Sequence, residues 1–248
     1  MKEDYRFQVY YNLNSNSIVS YNLKTDWDLS FDGSDEGWII NLNSSKFTQA
    51  WRLNESNLSY LPQLEKANWK WDDPSGNHDS TSIGDYRNHN NIYVIDRGYD
   101  FNNNHIGYVK MKIDSVNNTG YYLQFSSLDN QFDTAVYVQK TNSHKIFFSL
   151  DDYSSKIISP VNNDWDLLFS TYTHIFENGM PYLVSGVLIN YGSVNVAIDT
   201  VNSFNEINYS YIDNSDFTSK QDIIGYNWKT YNFSDGLYNI NSKINYVI

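Results

Sequence analysis

The chain says nearly the same thing twice, and any fold it adopts has to house two copies of one unit. Asp26-Trp27-Asp28-Leu29-Ser30-Phe31 returns 138 positions later as Asp164-Trp165-Asp166-Leu167-Leu168-Phe169. Upstream, Tyr10-Tyr11-Asn12-Leu13 and Ile18-Val19-Ser20 correspond to Phe147-Phe148-Ser149-Leu150 and Ile157-Ile158-Ser159. Downstream, Ile83-Gly84-Asp85-Tyr86 has its echo in Ile223-Ile224-Gly225-Tyr226-Asn227, and Tyr93-Val94-Ile95 in Tyr246-Val247-Ile248. Elements recurring in one order mark an internal duplication, each copy a supersecondary unit. The expected halves are residues 1–140 and 141–248. No Pro/Gly/Ser linker lies near residue 140, so the halves are expected to pack rigidly together. Past the point matching Tyr246-Val247-Ile248 the first copy continues with two further strands, so an unpaired sheet edge is expected in the second.

Composition settles which unit is repeated. Aromatics make up 17% of the 248 residues, 22 of them Tyr, with few Pro and Met. Tyr, Phe, Trp, Val and Ile suit pleated, half-buried surfaces, and the expected fold class is all-β, two related antiparallel halves packed together. Short apolar runs bounded by polar turns recur: 7–13, 18–21, 38–42, 91–98, 107–113, 120–125 and 134–140. In the repeated motif Trp27, Leu29 and Phe31 alternate with Asp26, Asp28 and Ser30, predicting a strand with one buried and one wetted face. Residues 182–190 form the most apolar run and read as a central strand buried on both faces, with Gly186 marking a bulge or a close backbone approach. Residues 54–68 hold the one candidate helix.

Charge and missing residue types exclude whole chemistries. A formal net charge of −12 opposes a nucleic-acid partner, which needs a basic face. The absence of cysteine removes disulfides, thiol nucleophiles and thiolate-held metal. No run approaches the ~18 apolar residues of a membrane-crossing helix. No phosphate loop, nucleophile elbow or HExxH helix is present. The Asp26/Asp28 and Asp164/Asp166 pairs admit two readings. Acids at i and i+2 on one strand face lie about 7 Å apart, a spacing glycosidases can use. Their shared place beside the repeated Trp suits a structural job better, accepting backbone N–H groups of turns. Asp72-Asp73 and Asp96 lack the alternating acid spacing of a calcium loop.

These stretches resemble the HmuY family of exported haem-binding lipoproteins. The resemblance is carried by Tyr10 to Phe31, Asp79-Ser80-Thr81-Ser82-Ile83-Gly84, Ile92 to Gly98, Asp164 to Phe176, Pro181 to Asn190 and Ile224 to Lys229. It implies an all-β fold, export, attachment to the outer membrane as a lipoprotein or release from it, and delivery of haem to a TonB-dependent receptor. A family member equivalent to one half holds haem iron with two histidines. His78 stands at nearly the required distance before Ile92, and Lys46 and Phe47 occupy the place of the other.

Haem iron takes imidazole or thioether ligands, and its macrocycle takes aromatic walls. His174, Met180 and His78 are therefore the candidate haem ligands, with Tyr172 and Tyr182 as candidate walls. The plainer reading makes His174 and His78 loop residues and Met180 the edge of a core. His89, His105 and His144 sit in polar turns and are assigned to solvent. The leading expectation is non-enzymatic haem capture. The alternative is a surface module that binds glycan or peptide on exposed Tyr and Trp.

Overall fold

The structure is a computed structural model that describes residues 5–142, 145–160, 164–209 and 216–248. The fold is all-β. In chain order the strands are β1 (Phe7–Asn12), β2 (Ser17–Leu23), β3 (Leu29–Asp32), β4 (Ile40–Leu42), β5 (Gln49–Arg52) and β6 (Ile92–Asp96). Next come β7 (Tyr108–Val116), β8 (Gly120–Ser126), β9 (Asp133–Gln139), β10 (Lys145–Ser149), β11 (Ser154–Lys156) and β12 (Leu167–Ile175). The last are β13 (Pro181–Ile189), β14 (Ala197–Asp199), β15 (Lys229–Asn232), β16 (Leu237–Ile240) and β17 (Asn245–Val247). Among the described residues, no helix is long and apolar enough to cross a membrane.

The two copies exchange strands. One sheet runs β13-β12-β1-β2 and another β11-β10-β3-β4, so each joins a hairpin of one copy to a hairpin of the other. The registers match residue for residue. Tyr10 faces Leu168 and Tyr11 faces Leu167, while Phe147 faces Ser30 and Phe148 faces Leu29. A cut at residue 140 therefore passes through both sheets.

The repeated Asp-Trp-Asp locks this exchange, and it does so twice in the same way. The Asp28 N–H donates to the Phe148 carbonyl (2.8 Å), and the Asp166 N–H to the Tyr11 carbonyl (2.9 Å). The Asp28 carboxylate accepts the Leu150 N–H, and the Asp166 carboxylate the Leu13 N–H, both at 2.7 Å. Asn43 Nδ2 donates to the Trp27 carbonyl and Asn190 Nδ2 to that of Trp165. Trp27 meets Phe147 edge-on at 4.9 Å, and Trp165 meets Tyr10 edge-on at 5.0 Å. Each motif thus satisfies the turn of the opposite hairpin. Buried backbone groups left unpaired would be costly.

Four layers follow. The two exchanged sheets face each other through Tyr10, Trp27, Phe147, Trp165 and Leu168. Behind β3 and β10 lies a five-stranded sheet, β5-β6-β7-β8-β9, and between them sits the largest core. Behind β12 and β13 lies the pair β14-β17 over a smaller core.

The layering corrects several expectations. Asp26 to Asp28 form a turn leading into β3, and Asp28 and Ser30 are buried like Leu29 and Phe31, because β3 is covered on both faces. The 182–190 run is an edge strand of its sheet, buried from Gly186 to Ile189, where its outer side meets the Gln221–Gly225 turn through a bridge at Gly225 and the Ile189 N–H to the Gln221 carbonyl. Gly186 does mark a close approach: a Cβ there would lie 2.3 Å from the Gly225 carbonyl oxygen. The candidate helix is only the 3-10 turn Leu64–Lys66, within a segment that lays Leu58 and Leu64 over the outer face of β6. Three strands, not two, follow β6 in the first copy.

Candidate functional site

Between the exchanged sheets a cavity of about 150 Å³ remains open. Its walls come in equivalent pairs from the two copies: Tyr10 and Phe147, Trp27 and Trp165, Ser30 and Leu168, Asn41 and Leu188. It therefore lies on the pseudo-twofold axis of the duplication. The scaffold is symmetric, whereas the chemistry lining it is not.

The divergence concentrates at one pair of positions. Gln8 on β1 is the equivalent of Lys145 on β10, by the shared register of Tyr10 and Phe147. Gln8 holds a neutral network: Nε2 donates to Ser170 Oγ (3.2 Å), and Oε1 accepts Trp27 Nε1 (2.8 Å) and Asn22 Nδ2 (3.0 Å). Lys145 stands directly across from Asp32, the equivalent of Ser170, and beside Asp72. Lys145 keeps a large accessible surface and is one of the residues that line the cavity. Burial pushes its ammonium down from the ordinary lysine range against the opposing pull of the Asp72 and Asp32 carboxylates. Burial likewise pushes the Asp72 carboxyl up, although it accepts the Ser82 and Leu42 N–H groups, each at 2.7 Å, and faces Lys145. Both groups are thus displaced toward neutrality by desolvation.

At the mouth, residues 73–78 come up against Tyr191 and Gln221. His78 is exposed there, its ring 5.6 Å from that of Tyr191. Of the candidate haem residues, only His78 borders the cavity.

The others gather at the far end of β12 and β13. His174 faces Tyr182 across the hairpin, and the Phe176 N–H donates to the Met180 carbonyl two places on. Period-two alternation puts His174, Phe176, Met180 and Tyr182 on one face of the sheet. His174 is flanked edge-on by Phe176 at 5.0 Å and Tyr226 at 5.1 Å, its buried Nδ1 without a hydrogen-bond partner among the described residues. Met180 and Tyr182 are exposed. Tyr172 is buried against Gly186 and Gly225, and burial raises its phenol pKa. His78 and His174 mark opposite ends of β13. The Tyr191 and Tyr182 positions they neighbour are nine residues apart, on the order of 25–30 Å of strand. They cannot ligate one iron. His174 and Met180 approach from the same side of the sheet, so they cannot clasp the two faces of one macrocycle. The residues present do not make a two-ligand haem site.

The remaining candidates are used internally. Asp28 is fully buried and holds the Lys46 ammonium and, in a fork, the Arg97 guanidinium, with Nε at 3.0 Å. Asp26 accepts the Leu23 N–H, Asp73 the Ser75 N–H, and Asp96 the Gly98 N–H and His105. His89 lies against Tyr93, and His144 falls outside the described residues. Among the described residues no group of three His, Asp or Glu side chains is placed to hold a metal.

Lys145, Asp32, Asn41 and Asp72 were missed in the sequence. The signal that could have found the first three is the set of positions where the copies differ in polarity. Asp72 was visible only as half of an unremarkable Asp-Asp pair. Comparison with protein-family models, with curated proteins and with solved structures finds no match to this chain.

Proposed function

We propose that the chain is a non-enzymatic binding module that encloses one small, neutral, polyhydroxylated ring, a mono- or disaccharide, in the cavity between its exchanged sheets. The observation that carries this reading is the lining: aromatic side chains of both copies beside a polar end where Lys145, Asp32, Asp72 and Asn41 offer donors and acceptors together. A sugar presents both an apolar C–H face and a rim of hydroxyls, which such a wall can satisfy. Size agrees. A cavity of about 150 Å³ lies below the ~300–1,000 Å³ of drug-sized ligand pockets, which points to a small ligand. A tetrapyrrole is larger. The net charge of −12 further favours a neutral ligand over an anionic one.

Trp27 and Trp165 are built-in reporters. Titration of free mono- and disaccharides, amino acids and hemin, followed by tryptophan fluorescence, is expected to show saturation with a neutral sugar. Leu168→Trp, which fills the cavity from β12, is expected to abolish it while the protein stays folded by circular dichroism. Indifference to every sugar would end this reading. A six-coordinate low-spin hemin spectrum lost in His174→Ala would replace it with haem capture.

A further inference from the structure

The two copies differ in length beside the mouth of the cavity. The Val196–Thr218 bridge repeats the Ala50–Lys70 bridge, and left-handed Gly225 repeats left-handed Gly84. Twelve residues separate Lys70 from Ile83, whereas five separate Thr218 from Ile224, the equivalent of Ile83. In the second copy the short connection keeps to the sheet edge, where the Ile189 N–H donates to the Gln221 carbonyl (2.9 Å). In the first copy the chain leaves the edge. Leu42, which faces Leu29 as Ile189 faces Leu167, donates its N–H to the Asp72 carboxylate instead, at 2.7 Å. The other oxygen of that carboxylate takes the Ser82 N–H, also at 2.7 Å, so Asp72 pins both ends of the excess chain.

The excess, residues 73–79, is a closed loop. At its neck the Asp73 N–H donates to the Ser80 carbonyl (2.9 Å). Within it the Asp73 carboxylate accepts the Ser75 N–H and the Asn77 side chain the Asp79 N–H. A loop with its ends together and its polar groups met internally is a compact unit. Pro74, Gly76 and His78 line the cavity, while Asn77, His78 and Asp79 are also exposed to solvent. The loop comes to rest on the second copy. The Gln221 N–H donates to the Ser75 carbonyl (2.8 Å), and the Gly76 backbone lies so close to Tyr191 that a Cβ would stand 2.7 Å from its ring.

We propose that residues 73–79 are a lid, which swings on Asp72 away from Gln221 and Tyr191 to admit the ligand and then closes over it. Resting on the assignment of the cavity to a sugar, this narrows the ligand class. The saccharide is taken whole, and one joined to a longer chain is rejected because that chain cannot pass the closed loop.

The protein has no cysteine, so Ser30→Cys, buried in the cavity wall, is a unique thiol that reports entry without reference to any ligand. Below the urea transition, iodoacetamide is expected to alkylate it faster than global unfolding allows. The rate should rise at least about tenfold when Tyr191→Ala removes the ring under Gly76, since one hydrogen bond and one contact then no longer hold the loop together. Deleting residues 73–79 should raise it as much; the deletion joins Asp72 to Ser80 across the closed neck and gives the first copy the length of the second. Equal rates in the three proteins overturn the lid. So does alkylation of the single variant only at the pace of global unfolding, which would make the loop a fixed roof. In the sugar arm, maltose or cellobiose should bind the intact chain while maltohexaose and cellohexaose do not, and the deletion should admit the longer pair. Equal binding of short and long sugars by the intact chain overturns the narrowing. Indifference to all four ends the sugar assignment and the narrowing with it, while the alkylation rates still decide whether the loop opens.

Discussion

Asp28 and Asp166 do the same backbone job, and only one of them also holds cations; comparing their asparagine variants isolates what the cations contribute. Both carboxylates accept one N–H at 2.7 Å from the opposite hairpin. Replacing Asp166 by Asn trades a charge-assisted bond for a neutral one, a cost of about 1 kcal/mol. Asp28 is 0% exposed, and so is the Lys46 side chain bound to it. Asp28→Asn therefore strands a buried ammonium and releases the inner half of the Arg97 fork, leaving that guanidinium only the exposed Asp151. Removing one partner of a buried pair costs about 3–5 kcal/mol. With a urea m-value of about 2–3 kcal/mol/M, the midpoint should fall by roughly 1–2 M for Asp28→Asn and by less than ~0.5 M for Asp166→Asn. Adding Lys46→Met should restore much of the Asp28→Asn loss, because the stranded charge is gone. Equal midpoints in the two single variants would refute the reasoning, since the cations would then contribute nothing beyond the shared backbone bond.

Two further outcomes follow from the same geometry. Burial pushes the Asp28 carboxyl up, but Lys46 and Arg97 together outweigh it and hold its pKa below the usual carboxylate value. Its contribution is therefore present above the unfolded pKa near ~3.9 and is lost as pH falls through the lower folded value. The stability gap between wild type and Asp28→Asn should accordingly hold from pH 7 to about 4 and close below it, as read from urea midpoints; a gap that widens in acid would contradict the assigned direction. Gly186→Ala would place a Cβ 2.3 Å from the Gly225 carbonyl oxygen, pushing β13 off the turn that covers Tyr172. A loss of about 1–3 kcal/mol is expected, read as a fall of roughly 2–10 °C in melting temperature, and an unchanged melting temperature would show that the approach is loose.

What the sequence revealed depended on how local each cause was. Strand positions were legible because alternation and turn residues act over a few neighbours, and the motif at Trp27 and Trp165 was legible because it occurs twice. The exchange of strands was not. Nothing in Tyr10-Tyr11 distinguishes a partner in its own copy from one 158 positions away, the separation of Tyr10 from Leu168, since both would bury the same aromatic face. The error at β3 has the same origin. Asp28 and Ser30 read as wetted because polar residues usually are, yet the opposite exchanged sheet covers Ser30 at the cavity, and Asp28 is enclosed with Lys46 and Arg97 as its partners. Likewise residues 182–190 were apolar enough for a sheet centre, but apolarity reports coverage and not position in the strand order. The candidate histidines do not converge for a geometric reason: the 96 positions between His78 and His174 say nothing about which end of β13 each will reach.

The exchange also bears on where binding can arise. Each Trp is fixed by an aromatic partner from the other copy, and each motif closes the other copy's turn, so substitutions there disturb both halves at once. Positions on the inner faces of β1 and β10 are freer, because they border a space that neither copy fills. At that border Gln8 and Ser170 remain neutral while their equivalents, Lys145 and Asp32, carry charge. A symmetric pair of neutral networks would leave a cavity without direction. Charging one side alone gives it a charged end opposite a neutral one, an asymmetry that would let a bound ligand take one orientation.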